Sequence, residues 1–340
     1  MSARADPEEA NSVPQDLSYL LAFLGIKHPV VLAPMAGVSG GALAAAVFRA
    51  GGLGLIGGGY CDIEWIKAQW AEATGARVGI GFITWALAER PATLDWALDQ
   101  SPAAVFLSFG DPKPFASRVR RAGCPLIIQI QSVDDAKRAL DVGADILVAQ
   151  GSEAGGHGAA RATLPLVPAV VDVAGTVPVL AAGGIADGRG LAAAFMLGAS
   201  GAVCGTAFFA TEESMAHPAA KTAACRSHGG ETRRGRVFDH ARGLNWPQGW
   251  TLRARGNPFE QAWTGRESEL TELHRSAYAE AFANGDTDMM AVIVGEAVDL
   301  VKSVRPASAI VSDIVTDAAR LLDHASNIAR HFEGVSCDGS

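Results

Sequence analysis

The feature that most constrains this chain is a series of eight short runs, each apolar throughout, between residues 30 and 205. They read VVLAP (30–34), LGLIG (53–57), VGIGF (78–82), AVFLS (104–108), LIIQI (126–130), ILVAQ (146–150), VPVLAA (177–182) and GAVCG (201–205). A strand with one wet face alternates apolar and polar residues. A run that is apolar at nearly every position has both faces covered, as in a parallel sheet flanked by helices. The intervening segments carry helix signals. Ser132 precedes VDDAKRALDVGA, an N-cap followed by early acids and a glycine stop, and Asp187 opens GRGLAAAFMLGA in the same way. Eight such units in series specify an α/β chain folded as a (β/α)8 TIM barrel rather than an open sheet.

After Thr206 the rhythm stops. Residues 215–305 are richer in Arg and Trp and show no βα period; an apolar stripe then returns at Ile310, Ile314, Ala318, Leu321, Ala325 and Ile328, with helical spacing. The expected organisation is a flexible tail at 1–16, a barrel at 17–214 and 306–332, and a smaller, mainly helical domain at 215–305 that covers the substrate before the closing helix. Pro306 marks the boundary.

Composition narrows the function classes. At 49% hydrophobic and 19% charged residues the chain can bury a large core, and its net charge of −8 argues against a dedicated nucleic-acid binder. Five cysteines, widely spaced and without a CxxC, argue against a disulfide scaffold or structural zinc and fit a reducing compartment. Two uncharged stretches, 28–48 and 190–211, are broken by glycines, the first also by Pro34, and read as strand, turn and helix rather than membrane spans. The first sixteen residues lack the apolar core of a secretory signal, so a cytoplasmic location is expected.

Four groups of residues carry candidate chemistry. Gly183 and Gly184 follow the seventh run, and Gly205-Thr206 ends the eighth. In barrels these loops cradle phosphate, because glycines let backbone N–H groups approach an anion closely. GSEAGGHG (151–158) follows the sixth run and places His157, which titrates near neutrality, between glycines at the catalytic mouth. Pro34-Met35-Ala36-Gly37 follows the first run and Gln129 lies near the end of the fifth; they read either as packing residues or as the cover and hydrogen-bond partner of a flat ring. Arg226, Arg233, Arg234, Arg236, Arg242, Arg253 and Arg255, interleaved with Trp246 and Trp250, read as a solvated face or as a dock for an anionic cosubstrate. GLGLIG (52–57) matches a dinucleotide fingerprint formally, but it follows a helix and coincides with a strand, so packing glycines are expected there. No histidine pair with nearby acids suggests a metal site.

Taken in order, APMAG (33–37), GSEAGGHG (151–158), AAGGIADGRG (181–190) and GT (205–206) resemble the nitronate monooxygenase family, formerly called 2-nitropropane dioxygenases, over about residues 24–322. The resemblance implies an FMN-containing barrel that oxidises alkyl nitronates with dioxygen to a carbonyl compound and nitrite. It implies FMN phosphate on Gly183, Gly184, Gly205 and Thr206. Pro34, Met35, Ala36, Gln129, Gln150, Gly151 and Gly156 complete the implied cofactor set, and His157 is the implied catalytic residue. The chain departs from the family with Ala207 where many members have arginine, and with Gln129 where some have lysine. Flavin-dependent enoyl-acyl-carrier-protein reductases and NAD(P)H:quinone reductases share the AGGH and AAGGI elements. An NAD(P)H-dependent reductase therefore stands as the alternative activity, with a silent flavin-binding scaffold as a third reading. The expected partners are a small-molecule substrate and dioxygen, with NAD(P)H and a homodimer left open.

Overall fold

A computed structural model describes residues 17–333; the expected tail and Cys337 lie outside the described residues. Eleven strands form two sheets. The larger contains β1 (Val30–Leu32), β2 (Leu55–Gly59), β3 (Gly79–Ile83), β4 (Val105–Ser108), β5 (Leu126–Ile130), β6 (Ile146–Gln150), β8 (Val179–Ala182) and β9 (Gly201–Cys204), all parallel. The ring closes between β1 and the residues entering β2: Leu32 N–H donates to Leu53 O at 2.9 Å, and Leu53 N–H donates to Val30 O at 3.0 Å. All eight apolar runs are barrel strands.

The uniform apolarity of these runs divides into two layers by strand alternation. Val31, Ile127, Ile146, Val148, Leu180 and Val203 point inward and pack with Leu20 and Leu24 of the helix Leu17–Leu24, which stoppers the bottom of the barrel. Val30, Leu32, Leu126, Ile128, Leu147 and Val179 point outward under the helices. Ser132 Oγ accepts from Asp135 N, and the Asp187 carboxylate accepts from Arg189 N and Gly190 N, so both expected caps form. The 52–57 glycines serve packing: a Cβ on Gly54 would sit 1.8 Å from Ala44 O, and one on Gly57 2.3 Å from Met35 O.

The helix Ala307–Glu333 closes the barrel against Gly188–Met196 and Gly41–Arg49. Its buried face is Ala307, Val311, Ile314 and Ala318, whereas Ile328, at the far end of the expected stripe, is 46% exposed. The helix continues past the last surface it can pack on. Among the described residues no helix is long and apolar enough to cross a membrane.

The segment 215–305 contains the helices Pro218–Arg226, Val237–Ala241, Pro258–Trp263 and Glu272–Asn284. It also contains sheet structure that the reading of a helical segment omits. β10 (Thr232–Gly235) and β11 (Thr251–Arg255) pair antiparallel, and β11 pairs in turn with β7 (Gly156–Gly158), which belongs to the loop after β6. A Gly-His-Gly triplet has no strand signature of its own; the ladder becomes available only when β11 lies beside it.

Candidate active site

The C-terminal ends of the barrel strands open into one cavity lined by Pro34, Met35, Ala36, Gln129, Gln150, Gly156, His157, Gly183, Gly184, Gly205 and Thr206. Eleven of the twelve residues singled out from sequence thus meet in one place. Gly151 stands behind the cavity: its amide donates to Ala182 O at 2.8 Å, and a Cβ there would meet Thr163 Oγ1 at 2.0 Å.

One end of the cavity is built from backbone. Gly183 and Gly184 have φ of +100° and +73°, which glycine adopts without strain. Among the described residues their amides have no acceptor. The short helix Thr206–Phe209 begins beside them with Gly205 at its cap and no side chain satisfying its first amides. These donors suit the phosphate of a ligand. Thr206 has a second task, because its Oγ1 accepts from Gly295 N at 2.9 Å and ties the 215–305 segment to the barrel; its O–H remains available to donate.

The other end is built from side chains. His157 is 8% exposed, and its Nε2 lies 3.0 Å from both carboxylate oxygens of Asp239, itself 1% exposed, on the helix Val237–Ala241. Burial lowers the His157 pKa below its usual 6.5; Asp239 opposes this, and the charges of Arg242 and Arg234 reinforce it. Burial prevails and favours the neutral imidazole, with Nε2–H donating to Asp239. That hydrogen bond fixes the tautomer and leaves the lone pair on Nδ1, which has no partner among the described residues. One ring face stacks on Trp246 with centroids 3.3 Å apart and planes within 9°.

Trp246 Nε1 donates to Tyr60 Oη at 3.0 Å, and Phe109 packs edge-on against His157, Trp246 and Trp250. Phe109 has φ of +60°, an uncommon conformation for a bulky residue, held here by that aromatic cluster. Beneath the histidine, Gln150 Oε1 accepts from Gln129 Nε2 at 3.1 Å and Gln131 Nε2 at 2.9 Å, while Gln150 Nε2 donates to His157 O at 3.2 Å.

The expectation of a solvated arginine face is wrong at three positions. Arg234 donates to the carbonyls of Ser152, Ala154, Gly158 and Thr251, and Arg253 to Ser152 O and Thr232 Oγ1. Arg236 donates to the carbonyls of Trp246, Pro247 and Trp250. These side chains brace the loops that hold His157 and Trp246. Burial, with Arg253 adding like charge, lowers the Arg234 pKa to about 10. Loop carbonyls are acceptors without a ladder, and a guanidinium with five donors satisfies several at once.

Sequence reading missed Asp239, Gln131, Tyr60 and Phe109. Asp239 lies 82 positions after His157 in a helix with no local motif, so nothing short of the fold pairs them.

The family model described as nitronate monooxygenase matches residues 18–96 and 64–317. The chain is 32% identical to nitronate monooxygenase npaC of Metarhizium robertsii, covering 87% of this chain and 92% of that one. Among solved structures, FabK from Thermotoga maritima superposes with a TM-score of 0.80 at 28% identity, covering 91% of this chain and 98% of that one. Nitroalkane oxidase from Streptomyces ansochromogenes superposes at 0.76 and 28%, covering 89% and 99%. A flavin-dependent oxidoreductase on a TIM barrel, the chain belongs to the nitronate monooxygenase family.

Proposed function

We propose that this enzyme binds FMN and oxidises alkyl nitronates with dioxygen, giving a carbonyl compound and nitrite. The observation that supports the reading is the single cavity in which His157, held by Asp239, faces the glycine donors of Gly183, Gly184 and Gly205. The residues fit a flavin mononucleotide. Gly183, Gly184, Gly205 and Thr206 offer amides to one phosphate, and the 52–57 glycines are consumed by packing, which disfavours a dinucleotide there. Bound FMN supplies the electron transfer, and the protein's work is orientation and proton handling.

Gln129 shares one N–H with Gln150 and would keep its carbonyl for the flavin ring, which Met35 would cover from the β1 loop. Neutral His157 accepts at Nδ1 the α-proton of a nitroalkane, and Asp239 stabilises the imidazolium that results. A nitronate arrives without that proton and needs only placement. Arg242, which lines the same cavity, favours its negative charge.

The shared AGGH and AAGGI elements support the second reading, a reductase that takes hydride from NAD(P)H. Anaerobic mixing with a nitronate, NADH or NADPH separates the two. Bleaching of the flavin by nitronate, and nitrite release in air without nicotinamide, is expected; bleaching by a nicotinamide alone overturns the proposal. Denaturing the protein should release FMN, and release of FAD would remove the phosphate assignment.

A further inference from the structure

The catalytic cavity does not end at the barrel mouth. It continues as a groove between the loop after β1 and the helices Pro218–Arg226 and Glu272–Asn284, sharing Ala36, Val38, Tyr60, Phe209, Arg242 and Ile293 with the chamber that holds His157. Beyond that throat the walls are mostly apolar. Met215 and Phe282 line the groove while 45% and 48% exposed. Ala279 and Ala283, one helical turn apart, keep the wall beside Phe282 low. Apolar side chains left open in a channel that leads to a reaction site mark a ligand groove.

The charges have a matching order. Arg275, at the outer part of the groove, is paired with Glu272 at 3.2 Å. Arg242, at the throat, lies 5.8 Å over the Tyr60 ring and forms no salt bridge among the described residues. A guanidinium without a direct salt-bridge partner at the inner end of an apolar channel suits an amphiphile whose charged head goes in first and whose chain trails outward.

We propose that this groove binds the straight apolar chain of an amphiphilic alkyl nitronate, with its anionic head at Arg242 beside His157. The proposal rests on the nitronate reading of the site, which makes the preferred substrates long-chain rather than short alkyl nitronates.

Straight-chain carboxylates from butanoate to dodecanoate probe the groove without turnover. Calorimetric titration of the flavin-loaded protein should show one site per chain and an affinity that rises about threefold per added methylene until the groove is full. That amounts to about eightyfold between butanoate and octanoate, four methylenes apart. Ala279→Trp, at an exposed helical position, should reduce this advantage to less than about threefold with an unchanged melting temperature, and Ala283→Trp repeats the test one turn along. Arg242→Gln should weaken all chain lengths by a similar factor. Affinity independent of chain length, binding at several sites, or a chain preference that survives both tryptophans overturns the groove. A chain preference without nitrite release from nitronates would instead overturn the nitronate reading, so the two failures are distinguishable.

Discussion

The two ends of the catalytic cavity are made of different material. At the end proposed to hold phosphate, Gly183, Gly184, Gly205 and Thr206 would act through backbone amides at the tips of β8 and β9, neighbouring strands of one sheet. At the histidine end, the working groups are side chains from β7, the helix Val237–Ala241 and the loop carrying Trp246, braced by Arg234 and Arg236. Under the proposed function, holding the cofactor and moving the proton are separable tasks. Damage at one end should appear as lost flavin, and damage at the other as lost rate with flavin retained.

The largest effect expected is that of His157→Asn. Turnover of neutral nitroalkanes should fall by about 10²- to 10⁴-fold, the range a positioned base supplies, with flavin content unchanged. Matched assays on freshly prepared nitronates should show a much smaller loss. Equal losses on both substrates would reject the base role and leave His157 as a positioning group.

Asp239→Asn comes next. It removes the negative charge and places an amide donor where one carboxylate oxygen stood, so the ring can take the other tautomer, and about 10²-fold should be lost on nitroalkanes. Because Asp239 opposes the lowering of the His157 pKa, its removal should also move the acid limb of kcat/KM to lower pH. An acid limb that stays in place would break the proposed coupling.

Gly183→Val should act at the other end. A Cβ there would meet Thr163 Oγ1 at 2.9 Å and Gly151 O at 3.0 Å, and valine is strained at φ of +100°. Losing one or two charge-assisted hydrogen bonds of about 1.5–3 kcal/mol each should weaken flavin binding by at least tenfold, read from flavin release on dilution. Parental flavin affinity in the folded variant would move the phosphate elsewhere.

The smallest effect is on stability. The folded protein holds His157 below its unfolded pKa, so between the two values the unfolded chain binds more protons and stability rises with pH. The contribution is complete above the ordinary value near 6.5 and is lost as pH falls through the folded one, with a slope of at most about 1.4 kcal/mol per pH unit. Melting temperatures across this interval should lose that slope in His157→Asn. A slope of opposite sign would mean that the native imidazole is charged.

The barrel and the glycine end were legible because their signals are local. A strand covered on both faces must be apolar along its length, so each run announces itself within five or six residues. A backbone donor site likewise needs glycine at the strand tip, whatever lies elsewhere. Ser132 and Asp187 cap their helices within three residues of themselves. The arginines were misread for the complementary reason. An arginine in water and one satisfying four carbonyls look the same in sequence, and the loops that supply those carbonyls lie up to 101 positions away.

The parallel barrel, the position of His157 on the loop after β6 and the glycines at the tips of β8 and β9 were legible in the residues alone. These follow from period, composition and backbone chemistry over short spans. The tertiary fold was needed to show that Asp239 holds the imidazole, that β11 turns Gly156–Gly158 into a strand, and that Arg242 stands where the cavity meets an apolar groove. Each depends on a side chain or strand edge meeting a distant partner. A hydrogen bond or ion pair exists at about 3 Å whatever the separation along the chain.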